Sequence, residues 1–394
     1  MDSFIKDKDW FYFKKNLGIS RNKKNMKNKI CSIFNLAALY RQPIYELMDK
    51  ELKCDFYITK WKVSPFKQMD YGILKGYKGS GRQIDLFKGF YWQTDTINKV
   101  FKPYKHYILS GEPHSISTWI VLLLAKLFGK KTYLWSHGWY GKEKKAKILL
   151  KKCFFKLSTK VFLYGDYARD LMIDEGFMPE KLICIYNSLD YKKQIKIRES
   201  LNESKVYSNH FNNDFPVLIY IGRIQKVKKL EMILNAIKVL NTEGCFCNLV
   251  LVGNDSEGLN LEGVSEKIGI NEQVWIYGAC YSEEILGELI YNSSICVSPG
   301  NIGLTAMHSL VYGTPIITHN NFKNQMPEFE AINKGVSGDF FNENSLTDLV
   351  SKIKLWVSKD IKLREDTRKH CYKVIDEKYN PQVQIEILKK TILD

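Results

Sequence analysis

Ile219-Tyr-Ile-Gly-Arg-Ile-Gln-Lys-Val-Lys-Lys-Leu-Glu231 and Ser298-Pro-Gly-Asn-Ile-Gly-Leu-Thr-Ala-Met-His-Ser-Leu-Val-Tyr-Gly-Thr-Pro315 decide how this chain is read. Each predicts an apolar strand that runs into a glycine turn and then a helix. The first turn carries Gly222, Arg223 and Lys228, and the second, Gly303-Leu304-Thr305, opens a helix. A helix N-terminus presents unpaired N–H groups and a partial positive charge. Arg223 adds a planar fork of five donors and Lys228 a mobile point charge. Together they suit a diphosphate, such as the one in a nucleotide-sugar.

Outward from these turns, strands and helices alternate along most of the chain. Downstream, Asn248–Val252, Val274–Tyr277, Ile295–Ser298 and Pro315–Thr318 read as strands, with helices over Leu230–Leu240, Ser282–Asn292 and Thr305–Tyr312. Upstream, Lys29–Phe34, Tyr107–Ser110, Thr132–Trp135, Lys160–Tyr164 and Leu182–Tyr186 read as strands, with helices over 115–129, 142–157 and 166–175. This alternation predicts α/β architecture: two tandem Rossmann-like, doubly wound domains facing a cleft. The polar stretch 191–213 contains no strand and is expected to be the linker. That divides the chain into an N-terminal extension (1–25), a first domain (26–190), the linker, a second domain (214–374) and a closing segment (375–394) whose helix is expected to pack back on the first domain.

Composition bounds the partners. The chain has 394 residues, and 59 Lys and Arg against 43 Asp and Glu leave a net charge of +16. Anionic partners follow, namely phosphates or an anionic membrane face. The charge is dispersed and no nucleic-acid-binding motif accompanies it, so no nucleic acid is expected. Nine cysteines form no framework of short loops, which fits a reducing cytoplasm. Cys245 and Cys247 flank Phe246 at the start of a strand and read as core residues. Residues 1–29 lack the apolar core of a signal peptide, and the run Trp119–Ala125 is too short to span a bilayer. Trp10, Phe11, Tyr12 and Phe13 among lysines read either as an amphipathic anchor or as a disordered tail. Lys142, Lys144, Lys145, Lys147, Lys151 and Lys152 form a basic helix, either a solvated face or one drawn to anionic lipid. No Asp-x-Asp closes a strand and no His/Cys spacing matches zinc, so neither a metal nor another cofactor is expected.

Taken in order, these motifs resemble glycosyltransferase family 4, retaining enzymes with the two-domain GT-B fold. The family's Gly-Arg-Leu turn with a following Lys corresponds to Gly222-Arg223-Ile224 and Lys228. Its Pro, loop, Gly-Leu and Gly-x-Pro correspond to Pro299, Gly303-Leu304 and Gly313-Thr314-Pro315, and its Pro-Glu to Pro327-Glu328. In the first domain Ser136-His137-Gly138 and Asn187-Ser-Leu-Asp190 also fit. The chain departs from the family twice. Two glutamates normally surround the Gly-Leu turn, but the loop Pro299–Leu304 has no acid and the helix position is His308. After the first strand the family has a glycine-rich loop, whereas this chain reads Asn35-Leu-Ala-Ala-Leu-Tyr-Arg-Gln-Pro43.

The resemblance implies a nucleotide-sugar donor bound by the second domain. Gly222, Arg223, Lys228, Gly303, Leu304 and Thr305 would hold the diphosphate, and Glu328 the ribose or sugar. Asn301 and His308 would stand in for the missing glutamates, Asn301 toward the donor sugar and His308 toward the ribose. His137, with Arg223 and Lys228, is the catalytic candidate, touching donor sugar or acceptor from the first domain; Glu112 or Asp166 would face the acceptor. The implied activity is transfer to a surface-polysaccharide or lipid-linked glycan, in the cytoplasm and peripheral on the inner face of the cell membrane. The alternative is a catalytically inactive scaffold of the same fold.

Overall fold

The computed structural model describes residues 30–59, 67–359 and 361–394, so the appendage expected over 1–25 lies outside the described residues. Among the described residues the strands form two parallel sheets, one per domain, each with helices on both faces. The first sheet has the order β3-β2-β1-β6-β7-β8-β9. Its central strands are β1 (Ile30–Phe34), β6 (His106–Ser110), β7 (Lys131–Ser136) and β8 (Lys160–Leu163), with β2 (Asp55–Ile58) and β3 (Tyr77–Gly79) on one side and β9 (Leu182–Cys184) on the other. A short antiparallel hairpin, β4 (Gln83–Asp85) with β5 (Tyr91–Gln93), stands apart from it. The second sheet has the order β12-β11-β10-β13-β14-β15, running through β10 (Val217–Ile221), β11 (Asn248–Val252), β12 (Val274–Gly278), β13 (Ile295–Ser298), β14 (Ile316–His319) and β15 (Gly338–Phe341).

The central strands β1, β10, β11 and β13 are buried on two faces, which is why they are largely continuous apolar runs. Successive side chains of a strand point to opposite faces. Ile30 and Phe34 therefore enter one core cluster of the first domain, while Cys31 and Ile33 enter the other. In β10, Leu218 and Tyr220 pack on one side and Ile219 and Ile221 on the other. Each sheet reverses its winding beside its first strand, between β1 and β6 and between β10 and β13. Ligands of such sheets bind at the carboxyl ends of the strands beside this reversal, and the turns after β1, β6, β10 and β13 lie there.

The stretch 191–213 is not a loose linker. It forms the helices Tyr191–Ser200 and Val206–Phe211. Asp190 caps the first, its side chain accepting from the Lys193 N–H at 3.1 Å. Buried Gln194 donates to Glu283, and the Tyr207 hydroxyl donates to the Leu289 carbonyl at 2.6 Å. The segment thus belongs to the second domain's packing. Its polar composition hides this because only narrow stripes face inward, Tyr191, Gln194, Ile197 and Leu201 from the first helix and Tyr207 and Phe211 from the second.

The chain crosses between domains at two neighbouring places. It leaves the first domain at Tyr186–Asp190 and returns at Tyr379–Gln384. Helix Pro381–Leu393, capped by Asn380, sends Ile385, Leu388 and Ile392 into the first domain's core beside Ile30 and Phe34. The crossings are tied together: Gln384 donates to the Tyr186 carbonyl at 2.7 Å and accepts from Ser188 Oγ at 2.6 Å.

Candidate active site between the domains

The second domain's wall is made of backbone turns clamped to each other. After β10, Gly222 adopts φ +140°, and its N–H donates to the Val252 carbonyl at 2.9 Å. The neighbouring turn comes so close that a Cβ on Gly253 would sit 1.8 Å from the Gly222 carbonyl oxygen. The Gly300 N–H donates to the Lys228 carbonyl at 2.9 Å, and a Cβ there would sit 2.0 Å from the Val227 carbonyl oxygen. Lys228 Nζ donates to the backbone and side-chain oxygens of Asn301, at 2.6 and 2.8 Å. Asn301 therefore acts first as the anchor of Lys228. Thr305 Oγ donates to the Ile221 carbonyl at 2.6 Å, which ties the helix start to the end of β10. Gln325 supports the same loop from behind, accepting from the Ile302 N–H at 2.7 Å and donating to Thr318 and to the His319 carbonyl. Arg223 is exposed on this wall. Burial, with Arg223 adding to it, lowers the Lys228 pKa to about 8.

His308 lies on the helix Thr305–Val311, with Nδ1 3.5 Å from Glu283 Oε1. The same Glu283 oxygen accepts from Gln194 at 2.7 Å and Tyr312 at 2.9 Å. Burial would raise the Glu283 pKa, but His308 and these donors hold it at about 2. His308 is thus paired with an acid from the neighbouring helix Glu283–Tyr291, a pairing that no sequence spacing signals.

Glu328 sits on the turn Pro327–Ala331 and is only 3% exposed. Its Oε1 accepts from Asn187 of the first domain at 2.7 Å, while Oε2 has no hydrogen-bond partner. Burial raises its pKa, and Lys228 and Arg41 oppose the rise from opposite domains. Glu330 crosses the boundary too, accepting the backbone N–H groups of Asp166 (2.6 Å) and Tyr167 (3.0 Å) at the start of the helix Asp166–Asp174. Burial pushes its pKa up to about 7.

The first domain's wall is made of side chains. His137 follows β7, its ring 4.7 Å from that of Tyr164 and 6.2 Å from that of Tyr140. Its Nδ1 has no partner. Burial, assisted by Arg41 and Lys151, lowers its pKa to about 4, so the ring is neutral at pH 7 and can exchange a hydrogen bond with a sugar hydroxyl. Beneath it the loop 138–143 is pinned by Lys151, whose Nζ donates to the Gly138 carbonyl and to Glu143 Oε1, both at 2.7 Å.

The basic-helix reading is therefore corrected. The helix runs Lys145–Leu157, after Lys142 and Lys144. Lys151 is buried inward, where Glu143 and the rings of Trp139 and Tyr140 surround it, and Lys152 pairs with Glu175 at 2.6 Å. Lys144, Lys145 and Lys147 remain exposed. Glu112 follows β6, within electrostatic reach of Lys151, Arg41 and Lys147. Asp166 instead serves the crossing, bonded to Lys378 at 3.1 Å and Tyr186 at 3.3 Å.

Arg41, Tyr164 and Asn187 complete the wall. Arg41 was present in the unassigned turn after β1, but nothing in its spacing marked it. Elsewhere, a cavity of about 710 Å³ is lined by Arg198, Arg364 and Arg368. Arg368 donates to the carbonyls of Tyr291 and Tyr312, and Arg364 to that of Val357, so these arginines cap helix ends. Among the described residues no cluster of three or more His, Cys, Asp or Glu has metal-holding geometry, and no helix is long and apolar enough to cross a membrane.

Residues 202–374 match the model of the family described as glycosyl transferases group 1. Over 232 residues the chain is 25% identical to an uncharacterized 41.2 kDa protein in the cps region of Klebsiella pneumoniae, covering 57% of this chain and 60% of that protein. Over 169 residues it is 22% identical to the alpha-D-kanosaminyltransferase of Streptomyces kanamyceticus, covering 41% of this chain and 43% of that one. The matches thus span less than two thirds of these relatives' lengths. In fold it is similar to the lipopolysaccharide outer core galactosyltransferase WaaB (TM-score 0.68, 14% identity, 93% of this chain and 99% of that one). It is also similar to Anabaena HepE in complex with UDP (TM-score 0.69, 10% identity, 93% and 99%). The two parallel-sheet domains are those of the GT-B fold.

Proposed function

We propose that this chain, whose residues 202–374 match the model of the group 1 glycosyl transferases, moves a sugar from a nucleoside diphosphate sugar to a hydroxyl of a surface-polysaccharide or lipid-linked glycan. The observation that carries the reading is the clamp of Lys228 onto the Gly300–Asn301 turn and of Thr305 onto the end of β10 at the sheet's reversal, with Arg223 exposed beside it, facing a first-domain wall that holds neutral His137. Negative charge accumulates on the leaving diphosphate as the bond from the sugar's anomeric carbon to the phosphate oxygen breaks. Cations fixed beforehand lower that barrier without reorganising, and no metal is required of them. The two walls exclude water, which otherwise competes with the acceptor for the donor.

The family resemblance supports retention of anomeric configuration. In a front-face reaction the acceptor oxygen attacks the face that the phosphate leaves, and its proton passes to the leaving phosphate oxygen. A glycosyl-enzyme adduct seen by mass spectrometry would overturn that course. The Klebsiella relative's place in a cps region and the WaaB likeness support a polysaccharide or lipopolysaccharide acceptor. The exposed lysines Lys144, Lys145 and Lys147 support an anionic membrane surface, on its cytoplasmic side, as the place of reaction.

The test is a thermal-shift and hydrolysis screen against UDP-, GDP- and dTDP-sugars, repeated with Arg223→Ala. A melting shift and slow sugar release with one donor, both lost in the variant, are expected. A folded protein that responds to no nucleotide would favour the inactive scaffold, the reading to which the acid-free loop Pro299–Leu304 points.

A further inference from the structure

Arg41 ends the short turn Leu39–Arg41 that follows β1 and leads into the helix Gln42–Leu47. Its guanidinium carbon lies 5.5 Å from the ring centres of Tyr40 and Tyr164 and 5.8 Å from that of Trp135. Nε donates to the Tyr40 hydroxyl at 3.1 Å, and Nη2 donates to the Tyr164 hydroxyl. Among the described residues no carboxylate comes within ion-pair distance of it. Phenols accept hydrogen bonds but bring no countercharge. An arginine cannot shed its proton, and enclosing a charge without a counterion costs several kcal/mol. Glu112 and Glu328 feel Arg41 only at longer range, and burial drives both toward their neutral forms.

Arg41 also belongs to the first-domain wall that holds His137. Tyr164, which holds the guanidinium, packs its ring 4.7 Å from that of His137, and across the domain boundary Glu328, bonded to Asn187 at 2.7 Å, lies within electrostatic reach of both Arg41 and Lys228. Neutral His137 is near enough for Arg41 to affect its titration. The rings fix the plane of the guanidinium, and a fixed fork suits two oxygens of one oxyanion.

We propose that Arg41 is a substrate-binding residue that takes an oxyanion, phosphate or carboxylate, between the domains. The inference rests on the nucleotide-sugar reading. Two sources share the chemistry: the donor's diphosphate, or an acidic group on the acceptor glycan.

The experiment titrates wild type, Arg41→Gln and Arg41→Lys with UDP, GDP and dTDP, with pyrophosphate and with glucuronate, following heat and checking fold by circular dichroism. Losing a bidentate, charge-assisted contact lowers affinity about tenfold to a hundredfold. Loss confined to nucleoside diphosphate and pyrophosphate assigns the donor's diphosphate. Loss confined to glucuronate assigns an acidic acceptor. Arg41→Lys keeps the charge but not the fork and is expected to lose at least fivefold, so it carries the test if Arg41→Gln does not fold. Wild type that binds a nucleoside diphosphate, with both variants matching it for every probe, overturns this inference alone. Wild type that binds none of the probes overturns it together with the reading beneath it.

Discussion

The two walls of the cleft are built by different means. The second domain's wall is backbone on backbone: Gly222 against Gly253, Gly300 against Val227, and Thr305 tied to the end of β10. Arg223 and Lys228 ride on that frame. The first domain's wall is side chain on side chain: Arg41 held by Tyr40 and Tyr164, His137 against Tyr164, and Lys151 pinning the loop beneath. A wall of clamped turns tolerates little change in shape but leaves its charged side chains replaceable without collapse. A wall of interlocked side chains couples each substitution to its neighbours. The first arrangement suits a part that every donor shares, and the second a part that distinguishes substrates.

The sharpest way to break this contrast is to remove a cation from the backbone frame. Arg223→Ala is expected to lower donor turnover about 100- to 1000-fold, as for loss of one preorganised donor to a developing anion, with melting temperature nearly unchanged. A melting temperature that falls along with turnover would show that Arg223 is structural. Next, Gly253→Ala drives a methyl group into the Gly222 carbonyl and should destabilise the second domain by about 1–3 kcal/mol. Denaturant unfolding that leaves the variant equal to wild type would mean the turns are not clamped.

The interface between the walls offers a gentler probe. Glu330→Ala leaves two N–H groups unsatisfied and should cost about 1–3 kcal/mol. Its pKa is raised from 4.5 to about 7, so the folded chain holds a proton that the unfolded chain has released between those values. Stability from this group therefore falls as pH rises from 4.5 to about 7. Glu330→Gln should remove that slope in melting temperature against pH, and a slope that persists would assign it elsewhere.

The smallest effect concerns Lys228. Its pKa is lowered to about 8, so the ammonium is present below pH 8 and lost above it. Diphosphate affinity is expected to be flat below pH 7 and to weaken by up to about tenfold per unit above pH 8. Lys228→Arg should flatten the profile, and an unchanged fall would exclude Lys228 as its source. The same depression has the opposite sign for folding. Between pH 8 and 10.5 the unfolded chain binds the extra proton, so this group's contribution to stability rises with pH.

The difference between the walls also decides how much could be read in advance. The bounds of β11 and β13 are legible in the amino-acid order because a strand buried on both faces must be a continuous apolar run. The helices Tyr191–Ser200 and Val206–Phe211 were not legible because a helix with a narrow buried stripe resembles a polar linker. Lys151 looked like its neighbours on a basic helix, since solvent and Glu143 are indistinguishable partners until the loop 138–143 is folded over it.

Local sequence by itself determined the two alternating series, the switch-point turns and the candidate cations Arg223 and Lys228, because period, turn chemistry and charge are properties of adjacent residues. Only the tertiary structure decided that Glu283 answers His308, that Glu330 caps a helix of the other domain, and that Tyr164 holds Arg41 beside His137. Those pairings join residues 25 to 164 positions apart. A contact over such a span depends on where whole sheets place their strand ends, and no local pattern encodes it.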